Sequence, residues 1–464
     1  MTPRLDPVRA VQPPLAAFYG DDVTGSTDAL AQFHRAGLRG VLLFDPGAVR
    51  TAAATGRYDV IGVAGTARAL PTARMAETIR PALEELRATG TGFVQYKICS
   101  TADSSPGTGS LGRAAETGRE VFGPAPVPVL AAQPDLGRYT AFGHHFARDD
   151  DGRVHRLDRQ PTMSRHPVTP MDESDLRTHL AGQTGLHVAG LDLTAYELPL
   201  SDARTAFETA AGRPPGLVVL DALTPAHARF AARLALMGGP AAVYALGSGG
   251  LSLAVGQVLA GTEHTRPYGP PRPARVVVVS GSRAPRTAAQ IRHAEDRGWP
   301  GVAVPVDPDH GCDTSAAALG RLREAVLRAL DGTAPGVVVH AVPSGRRDTP
   351  ASDPENSLGD SLGDTLAHAV RAAVVDAGVR RAVVAGGDTA GRVAACLGVR
   401  AAEIDTLLTP GAALCRLTCD DPRLDGFTAV LKGGQAGPAD LFDRTAGTVR
   451  ATDPTTDPPR EPGT

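Results

Sequence analysis

The sequence predicts an α/β protein of two domains, each built on a largely parallel sheet with helices on both faces. Three observations carry this expectation. Short β-branched or apolar runs recur along the chain, with segments of helical spacing between them. One stretch, 262–274 (TEHTRPYGPPRPA), interrupts the alternation with four prolines. The chain has 464 residues, and at roughly 100–200 residues per domain that suits two or three domains, each able to bury a core.

The strand expectations run in order. In the first half they are 15–19 (LAAFY), 40–44 (GVLLF), 59–64 (DVIGVA), 93–98 (FVQYKI), 127–132 (VPVLAA), 217–221 (LVVLD) and 241–246 (AAVYAL). In the second half they are 275–280 (RVVVVS), 336–341 (GVVVHA), 381–385 (RAVVA) and 427–431 (FTAVL). Runs this apolar, with no polar face, are the mark of parallel strands buried on both sides. Residues 72–88 and 364–378 carry apolar positions at helical spacing. The proline-rich stretch is read as the linker between an N-terminal domain, 15–261, and a C-terminal domain, 275–446. Residues 343–363 read as a polar surface loop, and 447–464 as a disordered tail.

Composition excludes several classes. A formal charge of −3 gives no electrostatic footprint for nucleic acid. No run of about 18 apolar residues is available for a transmembrane helix, and the first twenty residues lack the apolar core of a signal peptide. The expectation is a cytoplasmic protein with neither nucleic acid nor membrane as partner. Cys99, Cys312, Cys396, Cys415 and Cys419 make no disulfide framework and no zinc set, and the residues name no metal site. Of 47 basic residues only Lys97 and Lys432 are lysines. Both stand in Gly/Ser/Thr-rich segments after expected strands, where a compact ammonium offers a point charge rather than a planar fork.

The chemistry is expected at strand ends, where open α/β sheets bind ligands. The first strand runs into GDDVTGSTDALAQ, residues 20–32. Helix capping would explain one or two of its polar residues. Two adjacent aspartates are costly to bury unpartnered, so Asp21 or Asp22 is expected to face a ligand. The segment YKICSTADSSPGTGSLGRA, 96–114, carries Lys97, Ser100, Thr101 and Asp103. It exceeds an ordinary βα connection of about 2–6 residues and can present hydroxyls and amides to an anion or a polyol. In MSRHPVTPMDESDL, 163–176, Arg165 and His166 either hold a carboxylate or are loop residues ahead of a helix begun at Pro170.

Three Gly-rich strand-to-helix turns follow in the second half: SGSRAP (280–285), AGGDTAGRVAACLG (385–398) and LKGGQAGPADLF (431–442). Steric need explains each glycine alone. Together they resemble a phosphate cradle, with Lys432 as the phosphate-pairing cation, and point to nucleotide binding. The P-loop pattern is absent. The run GSGGLS (247–252) lacks the third glycine and the later acidic residue of a dinucleotide fingerprint, which disfavours an NAD-dependent oxidoreductase.

These motifs, with HPVTPM and PGAAL between them, occur in the order shown by the four-carbon acid sugar kinases, and the chain resembles that family over residues 16–446. Its members are two-domain α/β enzymes that phosphorylate threonate, erythronate or 3-oxo-tetronate with ATP; some relatives act on the branched five-carbon acid 3-oxo-isoapionate. The resemblance implies that the N-terminal domain binds the acid sugar through Asp21–Asp22, Arg68 and the Lys97–Asp103 loop. It implies ATP binding through Ser280, Ser282, Gly386, Gly387, Asp388, Thr389 and Gly434. This chain departs from the family's GGET with Gly386-Gly387-Asp388-Thr389, and from its KSGN with Lys432-Gly433-Gly434-Gln435. Ala102 stands where an aromatic is common and would widen the sugar pocket.

The expected reaction is phosphoryl transfer from MgATP to a sugar-acid hydroxyl, with a carboxylate accepting the proton. Asp22 is the expected base, with Asp21 and Asp103 as alternatives. Lys97 would pair with the substrate carboxylate or the transferring phosphoryl group, and Arg68 with the carboxylate. A homodimer is the default expectation for such an enzyme. A non-catalytic sensor that binds sugar acid and ATP is the alternative.

Overall fold

Valine- and isoleucine-rich runs without a polar face bury completely only inside a sheet covered on both sides. The computed structural model describes residues 12–149, 151–166, 168–237, 242–307, 310–343 and 357–449. It divides into two units, one ending at Arg266 and the other beginning at Pro267.

The first unit opens with β1 (Ala16–Gly20), α1 (Val23–Arg35), β2 (Gly40–Leu43), α2 (Val49–Ala54), β3 (Val60–Ala64), α3 (Thr72–Ala88), β4 (Phe93–Lys97), α4 (Leu111–Phe122) and β5 (Val127–Leu130). A small antiparallel sheet follows, of β6 (Arg138–Ala141), β7 (His144–Arg148) and β8 (Val154–Arg156). The unit closes with α5 (Leu176–Ala181), β9 (Val188–Leu191), α6 (Leu200–Ala211), β10 (Leu217–Leu220), α7 (Pro225–Leu236), β11 (Val243–Gly247) and α8 (Gly249–Ala260). Its main sheet is parallel throughout, in the order β2-β3-β1-β4-β11-β5-β10-β9. Helix α8 packs on both α1 and α7, and α3 packs on α4.

The second unit contains β12 (Val276–Ser280), α9 (Pro285–Asp296), β13 (Gly301–Val306), α10 (Ala316–Leu330), β14 (Gly336–Pro343) and α11 (Ser357–Val375). It continues with β15 (Arg381–Ala385), α12 (Gly387–Cys396), β16 (Val399–Thr409), β17 (Ala412–Cys419), β18 (Thr428–Lys432) and α13 (Leu441–Ala446). Strands β13-β14-β12-β15-β18 are parallel, and β17 and β16 extend the sheet antiparallel. Val276, Val278, Val338, Val383 and Val430 share one core with Trp299 and Phe442.

Connectivity positions the sites. The chain leaves β1 toward β2 and leaves β4 toward β5, although β1 and β4 are neighbours. It likewise leaves β12 toward β13 and β15 toward β16, with β12 beside β15. Adjacent strands whose connections depart in opposite directions open a crevice at their carboxyl ends. Each unit therefore has one such switch point; motif-bearing loops follow those four strands, and one more follows β18 beside β15.

Several expectations need correction. No helix begins at Pro170: α5 starts at Leu176, capped by the Asp175 side chain, which accepts from the Arg177 amide. Residues 357–363 belong to α11 rather than to a loop. Residues 344–356 of that expected loop, and 450–464 of the expected tail, lie outside the described residues. Strands β6–β9, β13, β16 and β17 were not expected from the sequence.

Candidate active site

The first switch point gathers charge. Asp22 is the N-cap of α1: one carboxylate oxygen accepts from the Gly25 amide at 2.8 Å and the other from the Thr24 hydroxyl at 2.6 Å. Asp21 is 2% exposed and receives both Nε and Nη2 of Arg68, at 3.2 and 2.6 Å. The same Nη2 lies 2.9 Å from Asp22. Burial pushes the Asp21 carboxyl above its ordinary value against the pull of Arg68. Burial also pushes on Asp22, but there the charges of Arg68 and Lys97, with the Thr24 and Gly25 hydrogen bonds, win and hold it below the usual range.

Lys97 ends β4 as a buried ammonium. It donates one hydrogen bond, to the Ile98 carbonyl at 2.8 Å, and lies 3.9 Å from the Asp28 carboxylate. Asp28 is in turn held by the side-chain amides of Gln32 and Gln133. A Cβ on Gly25 would stand 2.3 Å from Asp22 Oδ1, 3.1 Å from Lys97 Nζ and 3.4 Å from Arg68 Nη2. The three charged groups thus converge on a point that only a bare backbone leaves open.

The loop after β4 is pinned from several sides. The Thr101 hydroxyl donates to Asp103 Oδ1 at 2.7 Å. Ala102 has a φ of 52°, a left-handed conformation uncommon outside glycine. The Ser104 hydroxyl bonds the Ala102 carbonyl at 2.9 Å and is joined to His179 and Gln183. Ala102 is buried at the turn of this loop, and its role there is conformational. The fully buried His145 bonds the Ser100 carbonyl through Nε2 at 2.8 Å and the Thr140 hydroxyl through Nδ1.

The structure does not bring every expected residue to this cluster. Arg165 is exposed, and His166 Nδ1 accepts from Thr169 in a local turn. Among the described residues neither has a hydrogen bond or ion pair to Asp21, Asp22, Arg68 or Lys97. Arg68 is present, with Nε and Nη2 on the two aspartates and its side chain part-exposed. Asp28 and Gln133 were missed as contributors. Asp28 carried a signal, one helical turn after Thr24, whereas Gln133 had none.

The second switch point is made of hydroxyls and bare backbone. Ser280 Oγ accepts from the Ser282 amide, and Ser282 Oγ from the Ala284 amide. Gly386 caps α12 with a φ of 120° and has Thr389 and the Ser282 amide around the position of its missing Cβ. A Cβ on Gly434 would lie 2.6 Å from Ser282 Oγ. Gly387 and the exposed Asp388 open α12. Ser282, Gly386, Thr389 and Gly434 thus meet around one turn surface that presents amides and hydroxyls, the chemistry that receives phosphate. Lys432 is the exception. Its ammonium is fully buried and donates to Thr287 at 3.0 Å, so it does not stand at the surface as a phosphate-pairing cation.

Among the described residues no helix is long and apolar enough to cross a membrane. A family model described as a sugar-binding N-terminal domain matches residues 16–255, and one described as a nucleotide-binding C-terminal domain matches residues 277–442. The 3-oxo-isoapionate kinase of Paraburkholderia graminis is 36% identical, over 92% of this chain and 93% of its own length. The chain belongs to the four-carbon acid sugar kinase family. A 3-oxo-tetronate kinase of Pseudomonas fluorescens is 28% identical over 94% of this chain and 97% of its own. A crystal structure from Salmonella typhimurium LT2, described as a tRNA synthase, has the same fold, with a TM-score of 0.72 at 22% identity over 92% of this chain and 98% of that one.

Proposed function

We propose that this chain is an ATP-dependent kinase that phosphorylates a hydroxyl of a small sugar acid, with 3-oxo-isoapionate the first acceptor to test because the relative of that name is 36% identical. The observation that carries this reading is the unlike chemistry of the two switch points. One holds a buried cation among carboxylates, and the other a turn of amides and hydroxyls suited to phosphates. The sugar acid is assigned to the unit of β1 and β4, ATP to that of β12 and β15.

Among the described residues Lys97 donates one hydrogen bond, which leaves two N–H donors for the substrate carboxylate or the transferring phosphoryl group. Arg68 acts by fixing Asp21 and Asp22, and the Ser100 hydroxyl is available to the acceptor. The acceptor hydroxyl oxygen bonds to the γ-phosphorus as the bond from that phosphorus to the β-phosphate oxygen breaks. ADP leaves, and the hydroxyl proton passes to a carboxylate. Both oxygens of Asp22 already accept hydrogen bonds. Among the described residues Asp103 accepts a single hydrogen bond, from Thr101 at Oδ1, so more of its lone-pair sites stay open than on Asp22. We therefore assign the proton to Asp103 ahead of Asp22. Mg²⁺, when bound, neutralises phosphate charge. It is commonly held by one or two carboxylates plus the phosphates, and Asp388 in the first turn of α12 fits that limited donor set. Cytoplasmic location completes the reading.

The test is ADP release from MgATP across 3-oxo-isoapionate, the 3-oxo-tetronates, D- and L-threonate and D-erythronate. Strong release with one acid supports the kinase and names its acceptor. Silence with ATP binding intact leaves a sensor, and silence without ATP binding overturns the role given to the second unit.

A further inference from the structure

The turn 433–438, read above as part of the nucleotide site, is held from beneath by side chains that never reach its surface. Thr287 and Gln290 stand three residues apart on one face of α9, and both are fully buried. The Thr287 hydroxyl donates to the Gly434 carbonyl at 2.7 Å. Having one proton, it can only accept from Lys432, whose ammonium lies 3.0 Å away. Gln290 Nε2 reaches the carbonyls of Ala436, Gly437 and Pro438 at 2.9–3.2 Å. Four carbonyls of one short turn are thereby fixed by one helix face and one lysine.

Burying Lys432 is costly. Among the described residues it forms no ion pair, and burial, with the charge of Arg286, lowers its amine to about 7. In a chain that otherwise uses arginine, a buried amine of this kind is retained where a compact donor must reach one hydroxyl. We propose that Lys432, Thr287 and Gln290 are positioning residues that set the shape of turn 433–438, so that nucleotide affinity depends on a hydrogen-bond relay which does not touch the nucleotide. This inference rests on the nucleotide being bound by the second unit.

The experiment is calorimetric titration of the full chain with ADP, in the absence of sugar acid. Thr287→Val keeps the volume and removes the hydroxyl, and should weaken ADP binding about tenfold, the scale of one buried hydrogen bond. Thr287→Ser keeps the relay and should stay within about threefold of wild type. Lys432→Met should weaken ADP as Thr287→Val does, and the double variant should add nothing further, because the two groups act as one chain. The KM for the sugar acid should not change. Thr287→Val binding ADP as well as wild type overturns the relay, and so does Thr287→Ser failing equally with Thr287→Val. A wild-type chain that does not bind ADP overturns the nucleotide reading itself.

Discussion

A carboxylate takes up a proton more readily the more of its roughly four lone-pair sites stay open. Asp22 spends one oxygen on the Gly25 amide and Arg68 and the other on Thr24, which is what an N-cap does. Among the described residues Asp103 Oδ2 accepts no hydrogen bond. Asp103→Asn is therefore expected to lower kcat by about 10²–10⁴-fold, the usual contribution of general-base catalysis, with the KM for ATP unchanged. Asp22→Asn retains a good cap and should lose far less activity. Steady-state kinetics on both variants decides: an inactive Asp22→Asn beside an active Asp103→Asn returns the base to Asp22. At this scale the sequence marked residues that the structure gathers, without showing how they are held. Two adjacent aspartates and two lone lysines stood out, yet nothing in their spacing showed that Arg68 would occupy both aspartates or that Lys432 would lie under its turn.

Elements far from a ligand can still set its geometry. Strand β7 places His145 so that the ring holds the Ser100 carbonyl, and with it the loop that carries Thr101 and Asp103. Donation from Nε2 leaves Nδ1 to accept from Thr140, so the neutral ring satisfies both contacts. Burial lowers this histidine to about 4, against an ordinary value of 6.5. Between those values the unfolded chain binds a proton that the folded chain does not, so stability falls as pH drops from about 6.5 to about 4, by up to roughly 3 kcal/mol for this one group. His34, also lowered to about 4 by burial and Arg266, titrates in the same window. His145→Gln keeps a donor and an acceptor without the titration, and its urea midpoint should fall less between pH 7 and pH 5 than that of wild type. Equal falls would exclude His145 as a source of the slope. The elements themselves were unequally legible. Strands buried on both faces announce themselves as apolar runs, as in β12, whose five residues are all buried. Strands with one wet face do not: HHFAR in β7 and VRAAEIDTLLT in β16 mix buried with more open positions and carry charges that break any apolar run.

Across the whole molecule, two sheets each place a reversal of strand order beneath a motif-bearing loop pair. The loops could be read from the sequence because strand ends are visible there. The pairing of β1 with β4 and of β12 with β15 could not, since strand order depends on contacts distant in sequence. If sugar acid and nucleotide are each bound by one unit, damage to one site should leave the other's equilibrium binding intact. Lys97→Met removes the buried cation and should lower kcat/KM for the sugar acid by at least about 100-fold, with ADP affinity within about twofold of wild type. Gly434→Ala introduces a Cβ 2.6 Å from Ser282 Oγ and 2.8 Å from Ala284 Cβ, a clash the turn can relieve only by moving. It should weaken ADP binding by about tenfold or more, with sugar-acid affinity within about twofold. Steady-state kinetics measures the first of these quantities, and calorimetry with each ligand alone measures the other three. Loss of ADP binding in Lys97→Met, with the variant folded as judged by its thermal transition, would mean that the nucleotide depends on the first unit, and the assignment of one ligand to each sheet would fall.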